Sequence, residues 1–223
     1  MSTVSILTVD GPSGVGKGTV ARIMSQKKGW HLLDSGAIYR AFALAVDARG
    51  IDVSNESALE KIAQTLDLEF KTEEDSELVS VYLDGKDVSK VLRTEKTGEM
   101  ASKIASIGVV RAALLHRQQA FAKEPGLVAD GRDMGTVVFA DAPFKVFLTA
   151  SADERANRRL KQLQNQGSEG IISQILADVV ARDERDSSRK HSPLKPAKDA
   201  LTIDTTELSI DEVITKVMTL MEK

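Results

Sequence analysis

Gly11-Pro12-Ser13-Gly14-Val15-Gly16-Lys17-Gly18-Thr19 is the first stretch of this sequence whose spacing could do chemistry. Four residues separate Gly11 from Gly16, and Lys17 follows directly. Glycines at this spacing let backbone N–H groups curl around phosphate oxygens, and a helix starting at the lysine adds positive potential. Lys17 can then reach the β- and γ-phosphates of a nucleoside triphosphate as a mobile point charge. The bland alternative is a glycine-rich turn followed by an exposed lysine. The strand-like run before the loop and the helical pattern after it favour the phosphate loop. The position after Lys17 is Gly18, and the hydroxyl comes one residue later at Thr19. Mg²⁺ is therefore expected to be held by the nucleotide and by water, not directly by the loop, and no residue is assigned as a metal ligand.

A phosphate loop does not say what receives the phosphoryl group. Ser35 and Arg40 lie about a turn and a half apart where a helix is expected, and can offer a hydroxyl and a guanidinium to one phosphate. An N-cap serine and a surface arginine are the competing reading. Asp130-Gly131-Arg132-Asp133-Met134-Gly135 places an arginine and two carboxylates in a glycine-bracketed turn. Packing explains that poorly, although self-paired turn charges remain an alternative. Arg182, Arg185 and Arg189 share one helical face, with Asp186 beside them, and either serve phosphates or form a solvated salt-bridge face with Asp178. Arg155, Arg158 and Arg159 either close over a triphosphate or decorate a charged surface. His31, His116 and His191 lack metal-ligand spacing, and the Met and aromatic residues read as core.

The elements that must position these groups alternate between strand and helix. Val4, Ile6, Leu7 and Val9 suit a buried parallel strand; a helix follows from Lys17 to Lys28, stopped by Gly29. Trp30 to Leu33 reads as a strand. The next helix is capped by Asp34 or Ser35, carries Ile38, Phe42, Ala45 and Val46, and closes at Gly50. Another opens at Ser54. Period-two alternation at Leu66, Leu68 and Phe70, and at Val79, Val81 and Leu83, with Asp84-Gly85 as a hairpin signal, predicts a small antiparallel insert over about residues 66–90. Glu95 to Lys123 is helical with a break near Gly108. Leu127 to Ala129 and Lys145 to Thr149 read as strands. Ser151 and Glu154 form a capping box, Gln166-Gly167-Ser168 breaks the helix they start, and a long helix runs to about Arg189. Leu201 to Ile203 is a last strand, and Ser209 with Glu212 caps a C-terminal helix. Such alternation predicts an α/β fold whose ligands sit at the carboxyl ends of parallel strands.

The 223 residues are ample for a hydrophobic core and suggest one domain with additions. A net charge of −3 disfavours a general nucleic-acid binder, yet leaves room for a small phosphorylated ligand. There is no cysteine, which removes disulfides, thiolate zinc sites and cysteine nucleophiles. With no secretory signal and no apolar run of about 20 residues, a cytoplasmic protein off the membrane is expected. No exposed apolar stripe stands out, so a monomer is the default.

Together these residues resemble the bacterial cytidylate kinases over nearly the whole chain. The resemblance rests on Asp10 to Thr19, on Leu32 to Arg40, on Ala129 to Val138, and on Arg182-Asp183-Glu184-Arg185-Asp186 with Arg189. It implies a P-loop NTPase: a five-stranded parallel sheet flanked by helices (CORE), a LID over about 153–190, and an enlarged NMP-binding region over about 36–110 that contains the β insert. The chain would be a single such domain over 1–223. The implied reaction is phosphorylation of CMP and dCMP by ATP with Mg²⁺. Carried over by position, Ser35, Arg40, Arg132 and Arg111 would hold the acceptor phosphate, with Tyr39 and Asp130 on the same side. Ser102, Arg111 and Asp133 would face the cytosine, whose exocyclic amine donates to a carboxylate where uracil has a carbonyl. Arg182, Asp186 and Arg189 would address the sugar and reacting phosphates, Arg158 would be a LID contact to ATP, and Lys17, Arg132 and Arg182 would meet the developing charge. The chain departs from the family in having Ser187 and Ser188 where members often carry basic residues. Two alternatives stay open: a P-loop nucleotide-binding switch, and a kinase for another small acceptor.

Overall fold

The computed structural model describes residues 4–71, 80–165 and 167–222. The parts of the sequence reading that rest on Met1 to Thr3, Val79 and Gln166 lie outside these residues. Two compact units emerge, one of residues 1–34 and 119–223, the other of residues 35–118.

In the first unit, β1 (Ile6–Asp10), β2 (His31–Asp34), β6 (Leu127–Gly131), β7 (Phe144–Thr149) and β8 (Leu201–Asp204) form one sheet in the order β2-β6-β1-β7-β8, every neighbouring pair parallel. Leu7, Val9, Val128, Val146 and Leu148 are almost wholly buried, which is why these strands are short apolar runs and do not alternate. α1 (Lys17–Lys28) packs on β6, β2 and β1, and α9 (Ile210–Met221) packs on α1 and β7. Val20, Met24, Val213 and Val217 share one core cluster with the strands. α1 stops at Gly29, which holds a φ of 63°. β1 lies between β6 and β7, so its carboxyl end is the switch point of the sheet, where a crevice for ligands opens. Val9 pairs in register with Asp130, Asp34 also pairs with Asp130, and Asp10 pairs with Gly131. The acidic residues thus gather at one strand end. After β6 the chain makes a π-helical turn, Met134–Val138.

α7 (Ala152–Asn165) and α8 (Ile172–Ser187) pack against each other in the same unit. Ser151 Oγ accepts the Glu154 N–H as a capping box requires, but the Glu154 carboxylate accepts from Arg158 Nε at 2.8 Å. At α9 both halves of the box are present.

The second unit holds α2 (Ser35–Ala48), α3 (Glu56–Gln64), the antiparallel strands β3 (Leu68–Lys71), β4 (Ser80–Leu83) and β5 (Lys86–Asp87), and the helices α4 (Ser89–Leu92), α5 (Glu95–Ile104) and α6 (Gly108–Gln119, whose last residue falls in the first unit). The hairpin at Asp84-Gly85 joins β4 to β5, with φ of 49° and 73° at its two residues, as a type I′ turn needs. α3 starts at Glu56, two residues after the Ser54 expected to open it. The cap is Asn55, whose side chain accepts the Ala58 N–H, while the Ser54 N–H is already bonded to the Asp52 carboxylate.

Ser209→Ala removes the side-chain acceptor of the α9 capping box. We expect a loss of about 1 kcal/mol and a melting temperature lower by about 2–4 °C, with Ser209→Asp close to wild type. Thermal denaturation of the three proteins measures this; an unchanged midpoint for the alanine variant would contradict it.

Candidate active site

The phosphate loop leaves β1 at Asp10 and enters α1 at Lys17. Gly14 and Gly16 hold φ of 83° and 92°, and a Cβ on Gly11 would sit 2.2 Å from the Leu148 carbonyl oxygen, so side chains are excluded along the loop by conformation and by space. α1 has no side-chain cap and no acidic residue in its first turn, which leaves its leading N–H groups to an anion. Lys17 is buried, and its Nζ donates to the Pro12 carbonyl at 2.6 Å. Burial first, and then the guanidiniums of Arg132 and Arg182, push its pKa down to about 7 against the pull of Asp130 and Asp10. Three cations therefore converge on the loop.

Asp186 organises two of the arginines. It is 1% exposed, accepts from Arg132 Nε at 3.0 Å, and pairs with Arg189. Burial opposes its ionisation, yet Arg132, Arg189 and Arg182 together outweigh burial and hold the carboxyl below its usual range. Arg132 also donates to the Gly131 carbonyl. Asp133 is buried beside it, and the Asp130 carboxylate lies 3.5 Å from where a Cβ on Gly18 would stand. Arg158 donates to the Thr205 carbonyl and hydroxyl as well as to Glu154, which seats it against the segment after β8. The first unit thus brings together Lys17, Asp130, Arg132, Arg182, Asp186 and Arg189.

The other residues singled out from the sequence lie in the second unit. The Ser35 hydroxyl is buried and donates to Gln118 Oε1 at 2.7 Å; these are the first and last residues of that unit. Arg40 donates to the Leu92 carbonyl and Arg111 to the Ala105 carbonyl. The Arg111 guanidinium stands 5.5 Å from the centre of the buried Tyr39 ring. Ser102 is 4% exposed, and its hydroxyl has no hydrogen-bond partner among the described residues. An orphaned hydroxyl in a buried place awaits a partner.

Sequence spacing left Arg155 open between phosphate contact and surface decoration, and the structure shows that it does not decorate the surface. It is 4% exposed, donates to the Ser13, Ala150 and Ser151 carbonyls, and grips Asp183 through both terminal nitrogens. It ties the phosphate loop to α7 and α8. Asp10 enters the sequence reading only as the first residue of the stretch to Thr19; it is a buried carboxylate taking two backbone N–H groups. Neither could be found from spacing, because each is defined by partners far along the chain. Among the described residues no group of three His, Asp or Glu side chains is arranged to hold a metal ion, and no helix is long and apolar enough to cross a membrane.

The Lys17 shift has a measurable consequence. Above pH 7 the unliganded lysine is largely neutral, and a bound polyphosphate raises its pKa, so ATP binding takes up protons. Calorimetry at pH 8 in buffers of different ionisation enthalpy should show uptake that largely disappears in Lys17→Met. No net uptake would contradict the charge arrangement.

Known proteins resemble this chain over nearly its whole length. The family model described as cytidylate kinase matches residues 7–223. A cytidylate kinase of Pseudomonas entomophila (strain L48) is 53% identical over 216 residues, covering 97% of this chain and 95% of that protein. One of Aliivibrio salmonicida (strain LFI1238) is 54% identical over 217 residues, covering 97% and 96%. Among solved structures, a shikimate kinase from Bacteroides thetaiotaomicron aligns over 99% of both chains at 13% identity with a TM-score of 0.46.

Proposed function

Because the chain belongs to the cytidylate kinase family, we propose that it transfers the γ-phosphoryl group of ATP to CMP and dCMP, giving ADP with CDP and dCDP. The observation that carries this reading at the level of residues is the buried Lys17 at the uncapped head of α1, behind a glycine loop that a Cβ would close. The bond between the γ-phosphorus and its bridging oxygen breaks as an oxygen of the acceptor's phosphate bonds to that phosphorus. That oxygen is already a nucleophile, so no general base is required. The protein's part is alignment and charge neutralisation.

The loop residues Gly11, Pro12, Ser13, Gly14, Val15, Gly16, Gly18 and Thr19 cradle the ATP phosphates, while Lys17, Arg132 and Arg182 stabilise charge on the group in flight. Asp186 holds Arg132 and Arg189 in place for this, and Arg158 stands on the ATP side. Mg²⁺ would enter on the nucleotide. The Asp130 carboxylate beside Gly18 fits an ion held through water; bound there, it would offset phosphate charge. Asp133 accepts from the cytosine amine. The orphaned Ser102 hydroxyl and the Arg111–Tyr39 pair support a base-side role for those residues, and Ser35 and Arg40 serve the acceptor phosphate. The unit of residues 35–118 then corresponds to the NMP-binding region, and α7 with α8 to the LID.

Release of ADP, followed with CMP, dCMP, UMP and AMP as acceptors, tests the assignment. CMP and dCMP should turn over fastest, and equal rates with AMP would defeat the cytosine reading. Arg132→Ala should lower kcat by about a hundredfold to a thousandfold. Asp133→Ala should shrink the preference for CMP over UMP while leaving the KM for ATP within about twofold; an unchanged preference would remove Asp133 from the base pocket.

A further inference from the structure

Among the described residues, Asp10 is the one buried acid at the sheet's carboxyl edge that the reaction as described does not use. Its two carboxylate oxygens take different partners: Oδ1 accepts the Met134 N–H at 2.9 Å and Oδ2 the Gly135 N–H at 2.8 Å. These are the first two N–H groups of the π-helical turn. That turn bonds back to the Asp133 carbonyl through Val137 and Val138 and to the Met134 carbonyl through Phe139. The turn's closure therefore sets Asp133, and Arg132 precedes it directly. Asp10 is also covalently joined to Gly11, the first residue of the phosphate loop. One side chain spans the donor's loop and the segment that bears Arg132 and Asp133.

The surroundings are built for this contact. A Cβ on Gly135 would stand 2.8 Å from Thr8 Oγ1, 3.3 Å from Lys145 Cδ and 3.4 Å from Asp10 Oδ2, so only glycine lets the turn come down onto the carboxylate. The Lys145 ammonium is drawn elsewhere, to the Ala140 carbonyl at 2.6 Å and to Asp199 Oδ2 at 2.8 Å. For stability alone the arrangement is expensive. Burial and the flanking carboxylates of Asp133 and Asp130 work against the anion, and the two backbone N–H groups favour it. What only a carboxylate supplies is two acceptor oxygens for two neighbouring N–H groups; an amide offers one oxygen and turns an NH₂ towards the second N–H.

We propose that Asp10 is a positioning residue, holding the Arg132–Asp133 turn in fixed relation to the phosphate loop so that acceptor recognition and phosphoryl-group stabilisation are set from one buried side chain. This rests on the roles given above to Arg132 and Asp133. Its signature is selective: the acceptor side suffers and the donor side does not.

The test is Asp10→Asn in the full chain, with Gly135→Ala as a second variant that keeps the carboxylate but lifts the turn. Amide hydrogen exchange of Met134 or Gly135 should quicken at least tenfold in Asp10→Asn. The KM for CMP should rise about tenfold and kcat fall by a similar factor in both variants. ATP affinity should stay within about twofold and the melting temperature within a few degrees. Unchanged exchange and unchanged CMP kinetics in Asp10→Asn, with Arg132→Ala and Asp133→Ala still defective, would overturn the proposal and leave the acceptor-site reading standing. Faster exchange in Asp10→Asn with CMP kinetics untouched in Arg132→Ala and Asp133→Ala would overturn that reading, and the functional half of the proposal with it. Equal losses on the ATP and CMP sides, tracking a lower melting temperature, would mark Asp10 as a general fold residue and also overturn the proposal.

Discussion

Like charges brought together in a buried place are the constraint on which this molecule turns. Two such charges about 5 Å apart at an effective dielectric of about 20 repel by about 3 kcal/mol. At the mouth of the phosphate loop burial first, and then the guanidiniums of Arg132 and Arg182, lower the Lys17 pKa to about 7. A polyphosphate reverses the balance, because every oxygen it brings favours the charged lysine. Affinity for the reacting phosphates is then greatest where negative charge is densest during transfer.

Crowded cations stay in place only if something holds them. Three carboxylates of the first unit each fix a different element. Asp186, on α8, fixes Arg132 and Arg189. Asp183, one turn earlier, fixes Arg155, which reaches the Ser13 carbonyl of the loop. Asp10 fixes the turn after β6. Helix, loop and turn are thereby tied down at the carboxyl edge of the sheet by polar side chains. The apolar cluster around Leu7, Val146 and Leu148 sets the sheet, and the acids set what stands on its edge.

Much of this was legible in the residues. The phosphate loop, the parallel strands and the hairpin at Asp84-Gly85 follow from local rules: glycine conformational freedom, apolar runs and turn chemistry. The family match then reaches nearly the whole chain. What spacing missed depends on distance along the chain. Arg155 sits at i+4 from Ser151 in a charged helix and looks like any solvated arginine until Asp183 and Ser13 are found beside it. Asp10 closes an apolar strand and reads as its polar end, because its partners are backbone N–H groups more than a hundred residues away. The cap of α3 moved from Ser54 to Asn55 for a smaller reason, the competing Asp52 carboxylate. The π-helical turn has no sequence signature of its own; it forms where Gly135 lets the backbone reach Asp10.

The most direct test of the cation cluster is a crystal structure with a linked bisubstrate, adenosine and cytidine joined through five phosphates. The account predicts Lys17 Nζ released from the Pro12 carbonyl, and the side-chain nitrogens of Lys17, Arg132 and Arg182 all within about 3 Å of phosphate oxygens. A pentaphosphate bound with Lys17 still on Pro12, or with Arg132 and Arg182 turned away from it, would contradict the claim that this crowding exists to receive the phosphoryl group.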